Sequence, residues 1–173
     1  MKFWLTCARG GLNIFRARDT AEVEDALAII NNWRAAHSYP LQILKMALFR
    51  RAKRVDCDAI IAQRLKRLSS VSLKLRRNPH MKLSQMQDIG GCRAVLKDVS
   101  RVDELTDAYE ESLAKNPHGR PERVEEYNYI DEPKRDGYRS VHYVYKYRTL
   151  SPLHSVFNGL RIEVQLRSRL QHA

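Results

Sequence analysis

The amino-acid sequence predicts an α+β fold, in which a mixed β-sheet is flanked by helices and preceded by a helical N-terminal part. Up to residue 77 the apolar residues recur at helical spacing, whereas later segments alternate apolar and polar residues as half-buried strands do. The chain has 173 residues, of which 43% are hydrophobic and 29% are charged, so it is long and apolar enough to fold around a core. We therefore expect one domain.

The first half of the chain reads as a succession of helices. Residues 1–20 are irregular and basic, and we expect them to be poorly ordered. Thr20 is a candidate N-cap, Pro40 favours the start of a second helix, and Asn78-Pro79 ends a third. We expect these three helices at residues 21–36, 40–54 and 58–77.

The second half alternates strands with one helix. The clearest strand is the period-two run at residues 160–166, where apolar side chains alternate with Arg161, Glu163 and Gln165. We expect strands at residues 89–97, 122–130, 139–148 and 160–166, and a helix at residues 101–115. The chain then divides into a weakly ordered start to residue 20, N-terminal helices over 21–57 and a core over 58–173.

The charge of the chain favours an anionic partner. With 31 basic and 20 acidic side chains, the net charge is +11, which attracts nucleotide phosphates, RNA or anionic lipid without choosing among them. The three cysteines are widely spaced, which argues against a zinc site and favours a reducing compartment. No apolar run approaches the roughly 18 residues of a membrane span, so we expect a cytoplasmic protein without membrane contact.

The stretch Pro133–His142 contains most of the chemistry needed to hold a nucleotide. Lys134 and Arg135 offer cations, Gly137 allows close approach of the backbone, and Tyr138 offers a ring for a base. His142 adds a titratable imidazole at the start of the next strand. Taken alone, the same stretch also suits a surface hairpin with a buried tyrosine.

The third predicted helix is strongly basic on one face. Lys66, Ser70 and Lys74 share this face with further cations, and apolar residues occupy the opposite face. No Asp or Glu occurs from Ala59 to Met86, so these cations repel one another unless a phosphate group neutralises them. A solvated basic face is the ordinary alternative.

Two carboxylates fall at predicted strand positions. Asp88 comes just before the strand at 89–97, and Glu163 lies on the polar side of the strand at 160–166. On neighbouring strands they could share a Mg²⁺, which is commonly held by one or two carboxylates together with substrate phosphates. Alternatively, each pairs with a nearby arginine, Arg93 or Arg161.

Together these features favour transfer of a phosphate-containing group from a nucleoside triphosphate. Such catalysis consists mostly of positioning and of charge neutralisation by Mg²⁺, Lys and Arg. The common phosphate-binding loops, GxxxxGK[ST] and the Gly-rich kinase loop, are absent from the sequence. The other five histidines have no metal-like spacing, and we expect them to be surface or structural residues.

Four segments resemble, in order and spacing, the motifs of the RelA/SpoT synthetase family, which makes the alarmones pppGpp and ppGpp. The helix motif Arg-x-Lys-x-x-x-Ser-x-x-x-Lys is similar to Arg64, Lys66, Ser70 and Lys74. The motif Asp-x-x-Gly-x-Arg is similar to Asp88, Gly91 and Arg93. The motif Lys-x-x-Gly-Tyr-x-Ser-x-His is similar to Lys134, Gly137, Tyr138, Ser140 and His142. The motif Glu-x-Gln-x-Arg is similar to Glu163, Gln165 and Arg167.

The resemblance implies a nucleotidyltransferase-like fold and a pyrophosphokinase that moves the β,γ-pyrophosphate of ATP to the 3′-hydroxyl of GDP or GTP. It implies ATP-phosphate contacts from Arg64, Lys66, Ser70 and Lys74. It implies Mg²⁺ ligation by Asp88 and Glu163, with Glu163 also helping to deprotonate the hydroxyl. It implies acceptor contacts from Lys134, Tyr138, His142, Gln165 and Arg167, with Tyr138 stacked on the base.

The chain departs from the family pattern in three places. Asp136 stands where relatives often have Asn, which adds negative charge beside an anionic acceptor. No His-Asp dipeptide occurs, so we expect no alarmone hydrolase activity. Relatives usually continue past this C-terminus with a Trp and a helix, so we expect a C-terminally truncated chain.

Two other functions stay open at this point. Some toxic relatives transfer pyrophosphate to the 3′ end of tRNA, and such a toxin would have an antitoxin partner or domain. A run of cations, Arg50, Arg51, Lys53 and Arg54, could hold an RNA backbone. The third function is a non-catalytic module that binds nucleotide or RNA.

Overall fold

The computed structural model describes residues 20–115, 121–133, 135 and 137–172. The expected weak order of the N-terminal stretch therefore falls almost entirely outside the described residues, as does Lys134. In chain order the elements are α1 (Thr20–Ala36), α2 (Ser38–Val55), β1 (Ile60–Leu65), α3 (Leu68–Arg77), β2 (Gly90–Leu96), α4 (Val99–Lys115), β3 (Glu122–Asn128), β4 (Val141–Lys146), β5 (Arg161–Ser168) and α5 (Arg169–His172). Two short 3₁₀ turns lie at Leu83–Gln85 and Ser155–Phe157.

The five strands form one mixed sheet in the order β1-β2-β5-β4-β3. β2 and β5 run parallel, and the other neighbouring strands run antiparallel. The predicted α+β class is confirmed, and β3 is an edge strand of the sheet. Parallel pairing of β2 with β5 brings Gly91 directly beside Glu163, which is the strand neighbourhood that the carboxylate pair required.

The main core lies between one face of the sheet and helices α2 and α4. Alternate residues of β5, Ile162, Val164 and Leu166, are fully buried against it, which is the physical meaning of their period-two spacing. Leu48 of α2 and Leu105 of α4 are also fully buried in this core. The residues between them on β5 project from the opposite face of the sheet, which these helices leave uncovered.

A second, smaller core joins α1 to α3 and to the segment before β2. Its buried members are Ile30, Val71, Met86 and Ile89, and Trp33 packs against them. Val71 is the buried residue of α3, and Ser70 and Lys74, which are one turn apart, lie on an adjoining face of that helix. Of the basic face predicted for the third helix, Ser70 and Lys74 therefore lie on α3, whereas Lys66 lies in the connection before it.

The predicted third helix is wrong over its first half, because residues 60–65 form strand β1. Helix α2 ends at Val55, and the carboxylate of Asp56 accepts hydrogen bonds from the backbone of Asp58 and of Lys97. β1 then pairs antiparallel with β2 along its whole length. In this six-residue segment, the apolar side chains of Ile61 and Leu65 fit the period of a helix as well as that of a strand. Pairing with β2 stabilises the strand.

None of the helices that the structure describes is long and apolar enough to cross a membrane.

Candidate active site

The sheet face opposite the main core opens into a cavity of about 240 Å³. Six of the predicted site residues line it: Arg64, Asp88, Tyr138, Glu163, Gln165 and Arg167. Strand register explains the grouping, because Arg64 pairs with Gly91 and Gly91 pairs with Glu163 across three neighbouring strands. Residues distant in sequence thus meet on one surface.

Asp88 is held by two lysines from different elements. Nζ of Lys66 donates to one carboxylate oxygen at 2.6 Å, and Nζ of Lys74 donates to the other at 2.9 Å. Burial alone would raise the pKa of Asp88, but the hydrogen bonds and charges of the two lysines outweigh it and lower that pKa. Asp88 is therefore a carboxylate at neutral pH, and its partners are these lysines rather than Arg93.

Lys66 is fixed through its backbone as well as its side chain. It lies in the short connection between β1 and α3, where its N–H donates to the carbonyl of Ile89 at 2.7 Å. Its own carbonyl accepts a 2.7 Å hydrogen bond from Nε of Arg34, in the last turn of α1. Helix α1 thus contacts the site through Arg34, a residue for which the sequence offered no motif.

Glu163 accepts hydrogen bonds on both of its carboxylate oxygens. Nδ1 of His142 lies 2.7 Å from Oε1, and Nε2 of Gln165 donates to Oε2 at 2.8 Å. Burial tends to raise the pKa of Glu163, but hydrogen bonding from His142 and Gln165 and the attraction of His142 lower it below its usual value. The alternative pairing with Arg161 does not occur, because Arg161 lies 3.7 Å from Glu125 instead.

Tyr138 lines the cavity and follows a glycine with a left-handed backbone. Gly137 has φ +79°, a conformation that costs other residues free energy, so the corner at this position favours glycine. The guanidinium carbon of Arg167 lies 5.0 Å from the centre of the Tyr138 ring. Edge contacts with Tyr129 and His142 further orient the ring.

The remaining predicted residues fall into three groups. Lys66, Lys74 and His142 join the site through their contacts with Asp88 and Glu163. Ser70 lies one turn before Lys74 on α3 but is not among the residues that line the cavity. Lys134 lies outside the described residues.

The sequence reasoning gave no site role to Gln63, Cys92 or Arg34. Gln63 and Cys92 line the cavity, with Arg93, which the sequence had placed in a motif. Gln63 lies in the segment that was assigned to a helix rather than to β1, and Cys92 and Arg34 belong to none of the motifs. Among the described residues, cations outnumber the two carboxylates here, so the site favours a polyanionic ligand.

The other histidines are surface or structural residues, as predicted, where the structure describes them. His37 is buried, with Nδ1 2.7 Å from the carbonyl of Trp33, and burial lowers its pKa to about 4. His80 and His172 are exposed, and His154 stacks on Tyr39. His118 lies outside the described residues.

Known structures share this fold. The small alarmone synthetase 1 from Bacillus subtilis bound to its product pppGpp has a TM-score of 0.67 and 22% identity, over 82% of this chain and 73% of that one. The same synthetase bound to AMPCPP has a TM-score of 0.59 and 18% identity, over 80% and 70%. A GTP pyrophosphokinase family protein from Streptococcus pneumoniae has a TM-score of 0.64 and 23% identity, over 82% and 70%.

At the level of sequence, no curated protein matches the chain. Residues 63–173 match the family described as a region found in RelA/SpoT proteins. This region includes β1 from its fourth residue, all of β2 to β5, and every predicted site residue. The chain, with its mixed sheet and its cavity of paired carboxylates and cations, belongs to the RelA/SpoT family.

Proposed function

We propose that the protein is an ATP pyrophosphokinase that transfers the β,γ-pyrophosphate of ATP to the ribose 3′-hydroxyl of GDP or GTP. The observation that carries the proposal is one cavity that combines the carboxylates Asp88 and Glu163 with arginines and an aromatic ring. Phosphate transfer needs such a set, since its catalysis consists mainly of positioning and charge neutralisation. The family and the ligands of the Bacillus subtilis synthetase, AMPCPP and pppGpp, support the same pair of nucleotides.

In this proposal the donor triphosphate lies on the β1–α3 side of the cavity. Arg64, Lys66 and Lys74 are the cations that neutralise it, and Ser70 offers a hydroxyl one turn from Lys74. Lys66 and Lys74 hold Asp88 in the described structure, so phosphate oxygens would share or take over these ammonium groups.

The acceptor lies on the β4–β5 side, where Tyr138 stacks on its base and Glu163 accepts the proton of the 3′-hydroxyl. The lowered pKa of Glu163 keeps it ionised at neutral pH, as a proton acceptor must be. Gln165 and Arg167 hold Glu163 and Tyr138 in place. Lys134 is proposed as an acceptor-phosphate contact on the basis of its motif alone.

Asp88 and Glu163 also fit a Mg²⁺ ion. Both are ionised carboxylates at one cavity, and a carboxylate oxygen that accepts one hydrogen bond, as each of theirs does, keeps a lone pair for a metal. When bound there, Mg²⁺ would neutralise charge on the donor phosphates.

The test is transfer of label from γ-labelled ATP, in the presence of Mg²⁺, to GDP, GTP or deacylated tRNA offered in parallel. We expect a labelled guanosine polyphosphate, and a loss of about 100-fold or more in kcat for Glu163→Gln. Glu104→Gln, on the exposed side of α4, is the matched control and keeps the wild-type rate.

Two outcomes would redirect the proposal. Label on tRNA alone would make the protein a translation-blocking toxin. An antitoxin partner or domain would then be expected. Tight ATP binding without transfer to any acceptor, unchanged by Glu163→Gln, would favour a non-catalytic nucleotide-binding module.

A further inference from the structure

A closed ring of hydrogen bonds joins Arg167 to Glu163 along two routes. On one route Arg167 Nη2 bonds to the hydroxyl of Tyr138, that hydroxyl lies 2.8 Å from His142 Nε2, and His142 Nδ1 lies 2.7 Å from Glu163 Oε1. On the other route Arg167 Nη2 donates to Gln165 Oε1 at 2.7 Å, and Gln165 Nε2 donates to Glu163 Oε2 at 2.8 Å.

With a neutral imidazole at His142, the chemistry of the two ends fixes the direction of every bond in this ring. A guanidinium can only donate, and an ionised carboxylate can only accept. Arg167 therefore donates to the oxygen of Tyr138, whose O–H donates to Nε2 of His142. The proton of a neutral His142 is then on Nδ1, from where it is donated to Glu163.

The ring is held rigidly by the sheet. His142 pairs with Gln165 in the register of β4 and β5, so both side chains lie on the same face. His142 is 7% exposed and Arg167 is 9% exposed. The hydroxyl of Ser140, fully buried, donates to the carbonyl of Leu166 at 2.9 Å and fastens the start of β4 to β5.

This geometry makes His142 unsuitable as a phosphate ligand. Both of its ring nitrogens are occupied, one by Tyr138 and one by Glu163, so neither N–H nor lone pair is left for an acceptor phosphate. A carboxylate rotates readily about its last torsion, and one donor on each oxygen of Glu163 removes that freedom. The ring therefore fixes the plane in which Glu163 can receive a proton.

We propose that His142 is a positioning residue that ties the acceptor-stacking ring of Tyr138 to the carboxylate of Glu163. The proposal rests on the proposed pyrophosphate transfer and replaces the motif-based assignment of His142 to the acceptor phosphates. A base stacked on Tyr138 then steadies the hydroxyl that orients His142, so occupancy of the acceptor site and orientation of Glu163 are coupled.

The first test compares amide replacements of His142. The amide nitrogen of Asn takes the place of Nδ1, and that of Gln takes the place of Nε2. We expect His142→Asn, which keeps the bond to Glu163 but has no atom to accept from the Tyr138 hydroxyl, to lose no more kcat than Tyr138→Phe, whereas His142→Gln and His142→Ala lose about 10- to 100-fold. The KM for the acceptor changes little, and the losses are the same with guanosine, which has no 5′-phosphates, as with GDP.

The second test removes single hydroxyl groups. Tyr138→Phe keeps the stacking ring but breaks the link to His142, so it lowers kcat while leaving the acceptor KM near its wild-type value. Tyr127→Phe is the matched control, because the Tyr127 hydroxyl donates to Glu125, outside the ring, and its loss leaves kcat unchanged.

A measurement without turnover separates this proposal from the proposed function. In ¹⁵N-histidine NMR of the resting protein, at a pH where the imidazole is neutral, we expect His142 to carry its proton on Nδ1 and not on Nε2. The opposite tautomer would contradict the proposed ring even if the enzyme is active. A loss of kcat in His142→Asn equal to that in His142→Ala would contradict it as well. A correct tautomer in a protein that transfers no label leaves the ring intact and removes the proposed function.

Discussion

Two adjacent glycines of β2 are needed for different reasons. A Cβ at Gly90 would lie 2.9 Å from Cδ1 of Ile162 and 3.5 Å from Cβ of His37, inside the packed interior. A Cβ at Gly91 would lie 3.8 Å from Oε2 of Glu163, an ordinary van der Waals distance at the cavity wall. Gly90 thus serves packing, and Gly91 leaves room for a ligand.

We expect the two alanine variants to separate stability from activity. Gly90→Ala should lower the free energy of unfolding by about 1–3 kcal/mol, because Ile162 is fully buried and has little room to move. Gly91→Ala should change that free energy by less than about 0.5 kcal/mol, yet lower transfer by narrowing the cavity beside Glu163. Urea denaturation measures the free energy of unfolding of each variant, and the labelled-ATP assay measures its transfer activity. Equal losses of stability in the two variants would contradict the separate roles of Gly90 and Gly91.

Individual site residues were accessible from the sequence, but their partners were not. The spacing of the motifs identified Asp88, Glu163 and Tyr138, and the structure places all three at one cavity. That Asp88 pairs with Lys66 and Lys74 depends on a strand–helix connection that the sequence reading had assigned to a helix. The tautomer of His142 depends on sheet register and side-chain rotamers, neither of which leaves a trace in residue spacing.

Among the elements, periodicity predicted most helices and strands because the sheet has one apolar and one polar face. β5 alternates cleanly for this reason, and its limits are close to those expected. The prediction failed at β1 because the apolar spacing of six residues carries too little information to identify a helix. Pairing with β2 overrides the helical preference of this segment.

Helix α1 should influence the donor side of the site through Arg34. We expect Arg34→Met to raise the KM for ATP by about tenfold, since the carbonyl of Lys66 loses its donor and the lysine shifts. The KM for the acceptor should stay within about twofold, because among the described residues the side chain of Arg34 donates to the β1–α3 connection and to its own helix. Arg50→Met, at an exposed arginine of α2, is the control. Equal effects of Arg34→Met on both KM values would indicate a general loss of order in the site rather than an effect on the donor side.

The edge strand β3 is tied to α4 by a charge pair between Glu110 and Arg123. Nη2 of Arg123 donates to Oε2 of Glu110 at 2.8 Å, and this hydrogen bonding lowers the pKa of Glu110 against a smaller opposing effect of burial. A carboxyl whose pKa is lowered by folding contributes stability above its unfolded pKa. That contribution disappears as the pH falls through the folded pKa.

We therefore expect Glu110→Gln to destabilise the protein at pH 7 and to matter progressively less in acid. The cost should be about 1 kcal/mol at pH 7, a modest value because the Glu110 side chain is 43% exposed and water screens the pair. Denaturation curves from pH 7 down to about pH 3 should show the difference shrinking below the usual pKa of 4.5. Glu104→Gln, in an exposed pair with Arg101, should cost almost nothing at any pH.

For the whole molecule, the net charge of +11 predicts two different responses to salt. Non-specific RNA binding should weaken at least about tenfold between 50 and 200 mM NaCl, because each neutralised phosphate releases a counterion. Pyrophosphate transfer to GDP should change by less than about threefold, since its charges are close together and partly buried. Arg50 and Arg54 are exposed on α2, so their replacement by Gln should flatten the RNA response alone.

The separation of the interior into two cores has a consequence for how the molecule opens. The smaller core, built on Ile30, Val71, Met86 and Ile89, supports α3 and its lysine, whereas the larger core supports β4 and β5. Opening of the smaller unit alone would cost less free energy than global unfolding and would leave the hydrogen-bonded sheet intact. Such an opening would uncover the donor side of the cavity while the ring around Glu163 stays assembled.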